Sequence, residues 1–559
     1  MSLSAKPQSN AGFCLRWRAE VLCVSTVSAS CEVHKFCEKT RSGLDRSLKI
    51  LYDEKNEYAT ERRAGKNMIV FVRSFFAEER SEILDRVYDA IVIGAGVTGC
   101  SIAYHLSRYQ GNFLVLEEQG DVGEGTSKAN SGIAHGGYDA VPGSMKAIMN
   151  RAGMDRMEEL SKELDFSYKK IGSLVLCHSE AERPRLERLY QQGIENHTPG
   201  LRIVERDELL QMEPNVADDV VAALYCSEAG IVDPFEMTIA FAEQANVNGV
   251  AFKFFQKVIG IVRTEEGWRC TTQNDTYVAR AIINAAGLFS DRIHNMVSDS
   301  YRSIYPRKGE YMLLDRDAFG IVNHVIFDLP SDKGKGVLVA PTTHDNILLG
   351  PTAEFISDKR QLETTKKDLD RIRERTAEMI QAIPYHQVIT SFTGLRAHDK
   401  GDDFILEESE ENFFDCIGVE SPGLSSAPTI GKYMADLAQK KLRLPENSNF
   451  KSKRKGITHT RELPREELKK LIQKNPDYAQ IICRCERVTE AEILEAIHRP
   501  IGAKTLDGLK RRVRATSGRC QGGFCMPHLI DILARELQVE KEEITKRGMN
   551  AYLLTGRTK

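Results

Sequence analysis

No stretch constrains this chain more than YDAIVIGAGVTGCSIAYHLSRYQGNFLVLEE, which begins at Tyr88. The apolar run from Ala90 to Ile93 predicts a strand buried on both faces. Gly94, Gly96 and Gly99 follow in G-x-G-x-x-G spacing. In that spacing the first glycine permits a tight turn, the second lets backbone approach a pyrophosphate, and the third lets helix pack on strand. A helix over 97–109 then presents free amides and a positive dipole end to phosphates. The next strand, FLVLE, ends at Glu117, where a carboxylate can accept hydrogen bonds from a ribose diol. A glycine triad alone also occurs in ordinary turns. Strand, triad, helix, strand and acid in this order specify a dinucleotide-binding βαβ unit.

With 559 residues the chain exceeds a single core, so two or three domains are expected. Its 41% hydrophobic and 28% charged residues describe a globular protein, and a net charge of −3 gives no basis for a nucleic-acid partner. The sequence holds no apolar run of about 18 residues, the length a spanning helix needs, which leaves at most a peripheral membrane contact. Nine of the 13 cysteines, among them Cys100, Cys177, Cys226, Cys270 and Cys416, show no pairing rhythm, as in a reducing compartment. Residues 1–67 read differently, with Cys14, Cys23, Cys31 and Cys37, little apolar periodicity, and Lys6, Arg16 and Arg18 against Glu20 alone. A transit peptide is basic and acid-poor, but acids return from Glu32. The segment is therefore read either as a targeting extension or as a disordered or wrongly assigned start, with Met68 shortly before the first convincing strand.

A second glycine fingerprint for a nicotinamide cofactor is missing, and ARAIINAAGLFSD, Ala279 to Asp291, resembles the second nucleotide-proximal segment of flavoproteins. FAD is the expected dinucleotide. SKANSGIAHGGYDAVPGSMKA is similar to the stretch after the second strand in FAD-dependent oxidoreductases of the D-amino-acid-oxidase type. Within that family it is most like L-2-hydroxyglutarate dehydrogenases and next like glycerol-3-phosphate dehydrogenases. GIVDPFEMTIAFAEQANVNGV, PRKGEYMLL, SFTGLRAHDKGDDFIL and GVESPGLSSAPTIGKYMADL recur in the family order, so the resemblance spans Tyr88 to Leu444. It implies flavin contacts from Ser131, Gly287, Gly423, Leu424 and Ser425.

A flavin that oxidises an alcohol needs a base for the hydroxyl proton and cations for an anionic tail. Arg396, in TGLRAHD, is the first candidate for the clamp, because guanidinium binds carboxylate or phosphate bidentately; the alternative is an ion pair with Asp399 or Asp402. His135, where the family places residues at the flavin ring, is read as the base, as a hydrogen-bond donor to the flavin, or as a residue filling polar space. Lys308 and Tyr138 are weaker pocket candidates, and His398 is a second candidate base.

PENSNFKSKRKGITHTRELP is polar, basic and bracketed by prolines, and reads as a connector. Beyond it stand Cys483 and Cys485 in ICRCE, then 34 residues, then Cys520 and Cys525 in SGRCQGGFC. The intervening TEAEILEAIHR and TLDGLKRRVRAT predict two helices, the first opened by a Thr489/Glu492 capping box, and Pro527 starts a third. The cysteines thus fall at helix ends, where free amides stabilise thiolates. Disulfides do not suit such a chain, whereas zinc accepts four thiolates but prefers knuckles with at least two intervening residues. The pattern resembles the [2Fe-2S] domain of the bacterioferritin-associated-ferredoxin type. That module follows the flavin domain in the flavin-carrying chain of anaerobic glycerol-3-phosphate dehydrogenase and in related chains of amino-acid and opine dehydrogenases. The likeness implies a [2Fe-2S] cluster on Cys483, Cys485, Cys520 and Cys525. Arg484, Arg511, Arg512, Arg514 and Arg519 would offset its charge, dock an acidic partner, or form a solvated basic face.

The expected architecture is α/β (α+β): a Rossmann-like FAD-binding domain with an antiparallel substrate-binding sheet, plus a small helical [2Fe-2S] domain. The expected boundaries are 1–87 for the extension, 88–445 for the oxidoreductase domain, 446–475 for the linker, 476–540 for the cluster domain and 541–559 for a tail. The expected activity is a dehydrogenase for a small anionic alcohol, glycerol 3-phosphate or L-2-hydroxyglutarate. It would pass electrons to a protein acceptor or second flavoprotein subunit, in the cytoplasm or, if the extension is a transit peptide, in an organelle. The alternatives are an amino-acid or amine dehydrogenase, a zinc-bound C-terminal interaction module, and a flavin-binding adaptor without catalysis.

Overall fold

A computed structural model describes residues 13–17, 20–24, 87–330 and 336–556. The chain divides into two units, Met1–Glu82 and Ile83–Lys559. Of the first, the described part is an antiparallel ladder of Phe13–Trp17 on Glu20–Val24; Met68 and the rest of the expected extension up to residue 86 lie outside the described residues.

The second unit begins with the strand Val87–Ile93, three residues longer at its start than the apolar run alone indicates. Phe113–Leu116 and Thr276–Asn284 flank it in parallel, Ala251–Lys253 extends one edge, and Phe413–Ile417 joins Thr276–Asn284 on the other side. A parallel sheet must be covered on both faces, and one cover is the helix Val97–Leu106, buried along almost its whole length. That helix stops at Leu106 instead of running to Tyr109: Arg108 N and Tyr109 N bond back only three residues, to His105 O and Leu106 O, and the chain turns. Gly423–Leu442 and Pro234–Val247 pack beside it around one apolar core.

A second, largely antiparallel sheet carries the other wall of the molecule. Its longest pairing joins Ile304–Leu314 to Val388–Asp399, with Arg307 opposite Arg396 and Tyr311 opposite Phe392. Side chains alternate across a strand with period two, so Arg307, Gly309 and Tyr311 share one face with Arg396 and Gly394, while Lys308 and Glu310 point the other way.

The C-terminal domain is a set of short helices, Glu490–His498, Leu506–Val513 and Met526–Leu537, around a small core that includes Cys483 and Cys525. The capping box at Thr489 forms as its sequence predicts. The connector, however, is not a free tether. Asn447 N donates to Arg108 O at 2.7 Å, Arg454 N to Glu163 O at 2.9 Å, and Arg454 Nε to Glu243 at 2.6 Å. Polar composition had hidden this docking, since hydrogen bonds to a distant surface leave no local pattern. Among the described residues no helix is long and apolar enough to cross a membrane.

Candidate functional site

The turn after Val87–Ile93 is possible only with glycine. Gly94 sits at φ +101°, and a Cβ there would lie 2.5 Å from Ala285 O; one on Gly99 would lie 2.0 Å from Gly94 O. The close crossing brings Ala285, Ala286 and Gly287 to the same cavity as Gly94 and Gly96. At its edge the Val97 amide donates to the Ser127 hydroxyl at 2.9 Å. Glu117 follows the strand Phe113–Leu116 and is buried, its oxygens accepting from Ala95 N at 2.7 Å and Gln119 N at 2.9 Å. Burial pushes its carboxyl up to about 7 against the pull of those two amides.

The cavity encloses about 700 Å³, within the rough 300–1,000 Å³ range of small-molecule sites. It runs from Glu117 and Gly94 past Ser131 to His135, Arg396, Gly423 and Leu424. Glycine cradle, buried carboxylate and elongated cavity fit a flavin dinucleotide. Ribose hydroxyls would donate to the ionised form of Glu117, so on that contact binding FAD would expel a proton from the apoprotein. FAD affinity is therefore expected to increase with pH by up to about tenfold per unit below pH 7 and to level off above it. A fluorescence titration across that range checks this, and Glu117→Gln should flatten the profile.

At the far end His135 Nε2 lies 3.3 Å from Ser421 Oγ, and the ring packs 6.1 Å from Phe327. Arg396 lines the same cavity and donates to Thr352 O at 3.2 Å. Among the described residues it makes no ion pair with Asp399 or Asp402; Asp402 is taken by Lys146 at 2.7 Å. Directly across stands Arg307, whose proton affinity is lowered by burial and by the Arg396 charge.

Several expected residues sit elsewhere. Lys308 does not line the cavity: strand parity turns it inward, into a buried ion pair with Glu310 at 2.8 Å. Ser425 lies beneath the wall, its hydroxyl 2.6 Å from Asn150 Oδ1 and 3.0 Å from Pro422 O. Tyr138 faces a small recess on the other side of His135. His398 bonds Glu420 at 2.9 Å, and Glu420, which does line the cavity, also takes the Lys146 ammonium at 3.1 Å. That ammonium occupies the place a cation would need among His398, Asp402 and Glu420. Tyr311, from the same motif as Lys308, does line the cavity, and its side could not be read from the sequence because parity is set by the partner strand.

The four cysteines converge as two pairs. Cys483 and Cys525 are buried and in hydrogen-bond contact, whereas Cys485 and Cys520, likewise in contact, are half-buried. Amides of Thr516 and Glu486 point at Cys483, and those of Gly522 and Phe524 at Cys520, all favouring thiolate. One zinc at 2.3 Å from four sulfurs would hold every sulfur within about 3.8 Å of the others. Among the described residues, the sets of three or more ligand atoms within 4.8 Å of one another do not include these cysteines. Two pairs set apart fit a two-iron centre, not one zinc.

Most of the arginines around this centre reach toward the flavin domain. Arg511 and Arg512 pair with Asp121, Arg519 pairs with Asp315 and Asp317, and Arg514 reaches Glu486 and Asn346. Burial alone would raise Asp121, yet the guanidiniums of Arg512 and Arg511 hold it down to about 2. Arg511, Arg512 and Arg514 therefore form an internal seam, whereas Arg519, 59% exposed, sits at its solvent edge and Arg484 is exposed. Nearby, Asp233, Glu236 and His344 cluster at metal-like spacing. Arg461 donates to His344 Nδ1 at 2.6 Å and His344 Nε2 meets Asp233 at 2.8 Å, which makes the cluster a hydrogen-bonded network.

Residues 89–437 match the family described as FAD dependent oxidoreductase, and the chain belongs to it. Residues 481–535 match the BFD-like [2Fe-2S] binding domain, so FAD and a [2Fe-2S] cluster are its cofactors. The chain is 46% identical to a glycerol 3-phosphate dehydrogenase of Caloramator mitchellensis over 476 residues, 85% of this chain and 99% of that one. It is 25% identical to the mitochondrial L-2-hydroxyglutarate dehydrogenase of Arabidopsis thaliana, covering 62% of this chain and 83% of that one. Among solved structures it resembles the FAD-bound L-α-glycerophosphate oxidase of Mycoplasma pneumoniae, with a TM-score of 0.62 and 30% identity over 66% of this chain and 98% of that one.

Proposed function

We propose that the chain oxidises glycerol 3-phosphate and passes the electrons through its [2Fe-2S] domain to a protein acceptor or second flavoprotein subunit, in a reducing compartment such as the cytoplasm. The carrying observation is Arg396 in the same cavity as His135 and the glycine cradle, with Arg307 opposite it in the strand register adding positive charge from outside the lining. A guanidinium in the cavity wall can take a phosphate bidentately, and a phosphate places two charges on one group. L-2-hydroxyglutarate spreads the same charge over two separated carboxylates, so a clamp centred on Arg396 favours the phosphate. The 46% identical relative, a glycerol 3-phosphate dehydrogenase, supports the same substrate.

Gly94, Gly96, Glu117 and Gly423 would hold FAD, which would supply a two-electron hydride acceptor at the cavity. Arg396 orients the phosphate, and His135, whose Nε2 lies 3.3 Å from Ser421 Oγ, takes the hydroxyl proton when the substrate hydroxyl replaces that contact. Anaerobic mixing with glycerol 3-phosphate should bleach the flavin absorbance within a single turnover. Bleaching by L-2-hydroxyglutarate or an amino acid, with none by glycerol 3-phosphate, would reject the assignment.

A further inference from the structure

We propose that Arg511 and Arg512 are positioning residues that brace the cavity-wall loop 121–132 from the iron–sulfur domain, so that loading of the two cofactors is reciprocally coupled. Glu124, Thr126, Ser127, Lys128 and Asn130 of this loop line the dinucleotide cavity. The flavin domain holds it at Gly123 N to Ala95 O, 2.8 Å, and at the Thr126 hydroxyl to Leu395 O, 2.7 Å. Its root is gripped from the other domain. Arg512 meets both oxygens of Asp121, at 2.7 and 2.8 Å, while Arg511 bridges Asp121 at 2.9 Å and Glu124 at 2.6 Å. All four side chains are at most 7% exposed. Lys128 closes the set by pairing with Glu124.

The same two arginines stand at the end of Leu506–Val513, which leads directly into the cysteine loop. Arg514 caps that helix in the left-handed conformation, Thr516 follows at φ +75°, and the Thr516 amide points at Cys483. Arg512 is also tied to Ile501 O and Gly508 O, at 2.7 and 3.0 Å, so it cannot swing independently of its helix. A disturbed cysteine loop therefore moves the guanidiniums, and a buried carboxylate left without its partner is strongly disfavoured. If the docked helix favours the dinucleotide-shaped loop, bound dinucleotide must favour the docked helix by the same factor.

The test uses full-length, cluster-loaded protein from which FAD has been removed. Arg511→Gln should weaken FAD binding, read by flavin fluorescence, by about tenfold. In the unaltered protein, saturating FAD should slow iron release to a chelator, and Arg511→Gln should abolish that slowing. Arg519→Gln breaks exposed pairs on the same seam but away from the loop, and should retain normal FAD affinity. Where Arg511→Gln does not fold, Glu124→Gln should give a smaller weakening of the same sign. Unchanged FAD affinity in either loop-seam variant, an equal loss in Arg519→Gln, or iron release indifferent to FAD would each overturn the coupling.

Discussion

Arg396→Ala is expected to lower kcat/KM for glycerol 3-phosphate by roughly 100- to 1,000-fold, the equivalent of about 3–4 kcal/mol of lost charge-assisted binding. The loss should be large because Arg396 lines the cavity, so truncation removes its charge and its bidentate fork together. Arg396→Lys keeps the charge but not the fork, and should recover only part of the activity. Flavin content and melting temperature should stay near those of the parent, since Arg396 ties into the fold through one long donation, to Thr352 O at 3.2 Å. An alanine variant within about threefold of the parent would remove Arg396 from the substrate site.

Cys485→Ser is expected to eliminate the visible and paramagnetic signatures of the [2Fe-2S] centre while leaving flavin reduction by substrate in place. Removing an iron ligand should weaken iron retention by more than roughly 100-fold, beyond the range for outer-shell partners. Turnover with a two-electron dye should persist, whereas turnover with one-electron protein acceptors should fall to background. Cys485 is the informative choice, because Cys483 and Cys525 belong to the apolar core of the domain and their loss would also unsettle its packing. Retention of stoichiometric iron and labile sulfide by the variant would count against the assigned ligand set.

The flavin-binding turn was legible because its requirements are local. Gly94 and Gly99 are demanded by backbone atoms a few residues away or on the adjoining strand, and G-x-G-x-x-G records that demand in one short stretch. Cysteine spacing is equally explicit, as are the capping box at Thr489 and the proline in the first turn of Met526–Leu537. Lys308 was misjudged for the opposite reason. Nothing within PRKGEYMLL states which residues of an extended strand face the cavity; the pairing with Val388–Asp399 decides it, and it brings Tyr311 to the lining while Lys308 turns away. Ser425 was misplaced because a helix start directs alternate side chains into packing, here against Asn150.

Short-range chemistry written in the chain, then, determined by itself that a dinucleotide-binding βαβ unit and a four-cysteine domain are present, since steric and ligand-spacing rules act over a few bonds. Tertiary structure alone decided which charges meet. Arg511, Arg512, Arg514 and Arg519 look like a free basic surface until Asp121, Glu124, Asp315 and Glu486 come within hydrogen-bond reach from elsewhere in the chain. Electrostatic pairing has no sequence period and its partners here lie up to 391 residues apart, so only the folded chain could show that the seam between the two cofactor domains is closed by salt bridges.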